Sequence, residues 1–190
     1  MIMPYAVAPR PETGFYNAQL GTWLFLVAET MFFGALISSY ALLRTTAVGW
    51  PEDGNAIPWL FSFGVTAAMV VLGAVSFTLN QEKLASLTRF LWLATGLGVA
   101  CCILYGLQLR VLVQHGHTPA SSTYYGLYHL FAGILILHFL LGGLACVYSL
   151  AMAGGSRDAA AALCRVRCIA LYWRFLVLIT LVIMALFYFS

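Results

Sequence analysis

Glu29 is the residue of this chain with the strongest claim to chemistry. It stands in Leu20-Gly21-Thr22-Trp23-Leu24-Phe25-Leu26-Val27-Ala28-Glu29-Thr30-Met31-Phe32-Phe33-Gly34, a run with no other charge. At about 1.5 Å per residue from Leu20, a helix carries it roughly 13 Å into a hydrocarbon core some 30 Å thick, near the midplane. An ionised carboxylate there costs about 2.5–3.5 kcal/mol or more, so Glu29 must face protein or water, or carry a proton. Two uses fit: a neutral hydrogen bond to a neighbouring helix, or a polar site beside a route for protons, gas or lipid.

The histidines set a limit on larger claims. His129 and His138 share one apolar run, and at 100° per residue they point to opposite sides of a helix, so they do not share a ligand set. Each alone reads more simply as an interhelical hydrogen-bonding group. His115 and His117, in Gln114-His115-Gly116-His117-Thr118-Pro119, lack the further Cys, His or carboxylate partners a metal requires. A bis-histidine haem needs two imidazoles from facing helices, and this chain does not offer them. Cys164 and Cys168 fall on one helical face, without the second Cys or His pair of a zinc site, while Cys101, Cys102 and Cys146 act as small hydrophobes. No GxxxxGKS, GxSxG, HExxH or CxxCH run occurs, so no catalytic residue and no metal or cofactor bound by this chain is expected.

The elements that position Glu29 and His138 are membrane helices. Of 190 residues, 63% are hydrophobic and 8% charged, with a mean hydropathy of +0.94, which excludes a soluble hydrolase, a nucleic-acid binder and a disulfide-stapled secreted domain. Apolar windows at Leu20–Leu43, Ile57–Leu79, Phe90–Leu109, Thr123–Leu150 and Ile169–Phe189 predict an all-α bundle of five transmembrane helices. Trp50-Pro51-Glu52-Asp53-Gly54-Asn55 predicts a surface loop, with Pro58 and Trp59 opening the second span. Residues 1–19 are expected to be a cytoplasmic tail without a cleaved signal peptide, and 20–190 the membrane domain. Arg10, Lys83, Arg89, Arg157, Arg165 and Arg167 fall on one side, Arg44 and Arg110 on the other; this predicts a cytoplasmic N-terminus and a periplasmic C-terminus. Arg174, in the first turns of the last span, is expected to snorkel as a structural anchor. Small residues at helical spacing predict close helix approach: Gly34 with Ser38, Gly96 with Ala100, and Gly126, Gly133 and Gly142-Gly143.

Gly21-x-Trp23-Leu24-Phe25-Leu26-x-x-Glu29-x-Met31-Phe32-Phe33-Gly34 resembles the glutamate-bearing helix of subunit III of haem-copper oxidases, in which G-x-W-x-F-x-x-S-E-x-x-x-F recurs. The stretch from His115-Gly116 through Ser121-Ser122 and Tyr125-Gly126 to Ala132-Gly133-x-x-x-x-His138-x-x-x-Gly142 is similar to that family's A-T-G-F-H-G-L-H-V-x-x-G segment, and Tyr172-Trp173-x-Phe175 resembles its Y-W-H-F-x-D signature. The order is the family's and the stretches span nearly the whole chain. Carried over, Glu29 and His138 become candidates for a lipid, oxygen or proton route, and Gly34, Gly133, Gly142 and Trp173 serve helix packing. The chain departs from the pattern where the family's first H-G-L-H histidine falls on Leu135, its Y-W-H-F histidine on Arg174, and its aspartate on Val177; one residue is also missing between Gly126 and Gly133. The resemblance implies a non-catalytic subunit of a respiratory terminal oxidase in a bacterial plasma membrane. Such a subunit packs against catalytic subunit I, binds phospholipid in a cleft, supports sustained turnover and proton uptake, and leaves haem and copper to its partners. Two other readings stay open on the residues: an accessory subunit of a nitric oxide reductase system, and a small transporter or channel using Glu29.

Overall fold

The computed structural model describes residues 16–48, 50, 59–78, 84–153 and 159–188. Arg10, Lys83 and Arg157, which weigh in the charge count, and most of the expected loop after Trp50 lie outside them. The described chain forms five helices: α1 (Asn17–Thr46), α2 (Trp59–Thr78), α3 (Leu84–Gln114), α4 (Thr123–Ala153) and α5 (Ala159–Tyr188). All five are long and apolar enough to cross a membrane, and among the described residues there is no strand. The helices overrun the apolar windows: α3 begins at Leu84 rather than Phe90, and α5 at Ala159 rather than Ile169. Hydropathy sees only the part immersed in lipid, whereas backbone hydrogen bonding continues through interfacial turns carrying Arg89, Arg110, Arg165 and Arg167.

Local signals fix the turn between α3 and α4. Gly116 has φ +82°, a left-handed conformation glycine adopts without strain. The Gly116 N–H donates to the Val113 carbonyl at 3.0 Å and the His117 N–H to the Leu112 carbonyl at 2.9 Å, the paired bonds of a Schellman ending. Ser122 then caps α4, its Oγ accepting from the Tyr125 N–H at 3.3 Å, as expected of a serine ahead of a helix.

Helices consecutive in the chain alternate in direction, and side-chain contacts demonstrate it. Tyr40 near the end of α1 donates to the Leu186 carbonyl near the end of α5 at 3.1 Å, and Trp50 packs on Tyr124 at the start of α4. Gln108 of α3 reaches Ser62 at the start of α2. One end of the bundle therefore carries Arg44 and Arg110, and the other Arg89, Arg165 and Arg167. α2, α3, α4 and α5 enclose the core, with Val65, Met69, Tyr105, Leu135 and Trp173 all at 0% exposure. α1 lies outside this ring. It packs on α5 and briefly on α4, and touches neither α2 nor α3 among the described residues.

Candidate functional site: a proton-sharing pair beside a cleft

α1 buries only Leu26, Phe33 and Tyr40, a seven-residue spacing that draws one narrow seam along a helix. Glu29 falls between the first two, three residues after Leu26 and four before Phe33, so it lies on this seam and turns toward the bundle. There its Oε2 meets His138 Nε2 of α4 at 3.2 Å. The two side chains are 19% and 8% exposed, so the pair is screened from lipid, with the Phe33 ring 5.3 Å from the imidazole.

The geometry assigns this pair a proton. His138 Nδ1 lies 2.7 Å from the Ile134 carbonyl oxygen, which can only accept, so Nδ1 carries hydrogen. In a neutral imidazole Nε2 then presents a lone pair to Glu29. Two lone pairs facing each other repel, so either Glu29 is protonated and donates to Nε2, or the ring is protonated and donates to the carboxylate. In both states one proton is shared and the pair is neutral overall, which removes most of the cost of placing an acid in the bilayer.

α5 holds this arrangement together through four consecutive residues. At 100° per residue, Tyr172, Trp173, Arg174 and Phe175 point to different sides of the helix, and each meets a different neighbour. The Tyr172 hydroxyl donates to the His138 carbonyl at 2.9 Å, and its ring lies 6.2 Å from Phe25 of α1. Trp173 is fully buried and donates from its indole N–H to Cys146 Sγ of α4 at 3.3 Å. Phe175 packs 6.1 Å from Phe33. Arg174 donates to the Ser76 carbonyl near the C-terminal end of α2 and lies 5.1 Å from the Phe77 ring centre. That satisfies a carbonyl at a helix end and places a cation at the negative end of the helix dipole. The snorkelling expected of Arg174 is thus a bond between two helices.

The glycines sort differently from their expected roles. A Cβ on Gly142 would meet Tyr172 at 2.9 Å and Trp173 at 3.0 Å, and one on Gly98 would meet Trp173 at 2.7 Å, so these two glycines form the notch that admits the indole. Among the described residues Gly34, Gly96, Gly133 and Gly143 have nothing within 4 Å of such a Cβ, so the close approach expected there does not occur among them. A Cβ on Gly126 would meet the Pro119 carbonyl oxygen at 2.9 Å, a loop contact rather than a helix crossing. Leu135, where the family pattern has a histidine, is 0% exposed in the core. Val177, in the aspartate's place, lies 3.3 Å from where a Gly73 Cβ would stand.

The other histidines stay out of the site. His129 Nδ1 contacts the Tyr125 carbonyl at 2.8 Å, His115 Nδ1 the Val111 carbonyl at 2.8 Å, and His117 stacks on Tyr125 at 4.3 Å. Among the described residues no three His, Cys, Asp or Glu side chains come together as a metal site. One turn from the pair, toward the N-terminal end of α1, a cleft of about 430 Å³ opens between α1, α4 and α5. Gly21, Thr22, Phe25, Ala145, Cys168 and Tyr172 line it. Tyr172 thus touches both the cleft and the helix that carries His138.

No family model matches the chain. Similar proteins nevertheless cover most of it. A probable cytochrome c oxidase subunit 3 of Nocardia farcinica is 27% identical over 178 residues, 90% of this chain and 86% of that protein. The cytochrome c oxidase subunit 3 of Corynebacterium diphtheriae is 25% identical over 163 residues, 82% and 80% of the two chains. The cytochrome bo(3) ubiquinol oxidase subunit 3 of Pseudomonas putida is 24% identical over 164 residues, 83% and 78%. Over most of its length the chain is similar to subunit III of cytochrome c oxidases, and a divergent member of that family fits these likenesses. It is therefore a multi-pass, subunit III-like component of a terminal oxidase. The chain combines the Glu29–His138 pair with an arginine in its Tyr172-Trp173-Arg174-Phe175 run, and this arginine ties α5 to α2.

Proposed function

We propose that this chain is the non-catalytic supporting subunit of a respiratory terminal oxidase, packed on catalytic subunit I in a bacterial plasma membrane with its N-terminus in the cytoplasm. The observation that carries this reading is the contact between Glu29 of α1 and His138 of α4, an arrangement suited to joining helices. Haem and copper, on this reading, reside in the partner subunits. The cleft beside Phe25 and Tyr172 takes an acyl chain of a phospholipid, since its walls are mainly apolar and it opens along the outlying helix α1. A lipid there would hold α1 against α4 and α5, and with it the geometry of the Glu29–His138 contact. Subunit I would receive a fixed apolar surface and a retained lipid, which favours sustained turnover over many cycles.

The test is Glu29→Gln in the native complex. Glutamine keeps a hydrogen-bonding group facing Nε2, so the complex assembles with an unchanged reduced-minus-oxidised haem spectrum, while its rate of inactivation during turnover shifts modestly. Loss of the whole haem signal in this variant would contradict a supporting role for the pair. Proton or solute flux through proteoliposomes of the chain alone, abolished by the same substitution, would replace the subunit reading with a transporter.

A further inference from the structure

The cleft beside Tyr172 leads to a cation that the described chain leaves without a counter-ion. Arg165 of α5 stands three residues before Cys168, four before Ile169 and seven before Tyr172, all of which line the cleft. At helical spacing it therefore extends the same wall by one turn. Arg165 is half-buried, yet its Nε and Nη2 atoms are closed off from solvent and have no hydrogen-bond partner among the described residues. At the other end of the bundle, polar groups satisfy one another: Ser62 Oγ accepts from Gln108 Nε2 at 2.8 Å and from the Tyr188 hydroxyl at 2.6 Å. Arg165 has no such recourse, because a guanidinium only donates and does not shed its charge. Among the described residues the one acid is Glu29, and it is engaged with His138.

Ser149 of α4 stands at the same level. Gly142 faces Tyr172 where α4 meets α5, and these two helices run in opposite directions. Seven residues onward along α4 and seven back along α5 set Ser149 opposite Arg165. Ser149 is 4% exposed, and its hydroxyl also has no partner among the described residues. Arg165 lies about one turn inside the span that begins at Ala162, at headgroup depth, on the end that also carries Arg89 and Arg167. The Nε–Nη2 edge of a guanidinium is a fork that fits two oxygens of one phosphate or carboxylate. From that level the cleft runs inward past Cys168 to Phe25 and Tyr172. An anionic head at the interface with an apolar chain directed into the bilayer describes a phospholipid, whereas a carboxylate from a partner helix would fill the fork and leave the cleft unused.

We propose that Arg165, with the Ser149 hydroxyl, binds the phosphate of the lipid whose acyl chain occupies this cleft. This rests on the cleft holding an acyl chain, as proposed above, and it fixes the head and the leaflet that the lipid brings: a phosphate, at the membrane face where α5 begins. The phosphate oxygens accept from Nε, Nη2 and the Ser149 Oγ, and their charge meets that of the guanidinium.

Native mass spectrometry of the delipidated native complex tests this with dioleoylphosphatidylglycerol and dioleoylglycerol, which share their chains and differ in the phosphate-bearing head. Arg165→Gln should weaken retention of one phosphatidylglycerol by about tenfold, through loss of charge-assisted bonds, and leave dioleoylglycerol unchanged. Gly21→Leu, which fills the cleft from α1, should weaken retention of both. Phosphatidylglycerol held by Arg165→Gln as well as by the unaltered complex overturns the phosphate contact; if Gly21→Leu still releases it, the acyl chain in the cleft stands. Release by Arg165→Gln but not by Gly21→Leu removes the chain from the cleft and overturns both readings. Displacement of the lipid by excess inorganic phosphate would make this a site for the free anion and overturn the lipid. Where Arg165→Gln fails to assemble, Ser149→Ala decides: a loss of about threefold is expected, and undiminished retention overturns the contact.

Discussion

Removing both partners of the Glu29–His138 contact should cost less than the sum of the costs of removing each alone. Glu29→Leu leaves His138 Nε2 in a site where the ring is 8% exposed, and an unsatisfied buried polar group costs about 1–3 kcal/mol. His138→Leu strands a carboxyl that is 19% exposed; partial access to solvent and the option of protonation hold that cost to about 1–2 kcal/mol. The double variant replaces both polar groups by apolar ones and leaves nothing unsatisfied. It should therefore be less destabilised than the sum of the singles by about 0.6–1.7 kcal/mol, the range found for polar contacts between membrane helices. Glu29→Gln should stay within about 0.5 kcal/mol of the unaltered chain, because its amide can donate to Nε2 as a protonated carboxyl does. The assay is reversible unfolding of the purified chain in mixed micelles by titration with a denaturing detergent. Strict additivity of the two leucine substitutions would refute the shared proton, as would a Glu29→Gln variant as unstable as Glu29→Leu.

Other substitutions probe the frame around the pair. Gly142→Ala and Gly98→Ala push a methyl into the Trp173 and Tyr172 rings and should each cost about 1–3 kcal/mol in the same unfolding assay. Gly133→Ala and Gly34→Ala meet open space and should cause no loss in the isolated chain; weakened co-purification of either variant with its complex would then mark that helix face as a subunit contact. Arg174→Ala releases the Ser76 carbonyl and should destabilise the chain by about 1–3 kcal/mol, with Arg174→Lys recovering part of the loss. Trp173→Phe keeps most of the ring volume but loses the bond to Cys146, for about 1 kcal/mol.

The five spans and Glu29 were legible in the sequence for one reason. In a bilayer an uninterrupted apolar run must be helical, and a lone charge within it must have a partner. The orientation of Glu29 also had a local signal, since Leu26, Phe33 and Tyr40 share its seam. That the partner is His138 depends on how α1 leans on α4, and no spacing within either helix reports that. The glycines show the same limit. Small residues at helical spacing mark where helices can approach, but helices apolar all round carry no amphipathic signal to say which side does. Gly98, which spacing did not single out, proved to meet Trp173, while Gly96 did not. Arg174 read as a departure from the Y-W-H-F pattern, and only the position of α2 shows why a long cation works there. Ser62, Gln108 and Tyr188 come from three helices and leave no trace along the chain.

Whether this chain works as a supporting subunit of a terminal oxidase is tested by pulling a tagged copy from its native membrane in mild detergent. Co-elution with a haem-copper catalytic subunit, identified by mass, is expected, together with that subunit's reduced-minus-oxidised spectrum. Co-elution with a nitric oxide reductase would assign the chain to that system, and a colourless chain eluting alone would contradict the account.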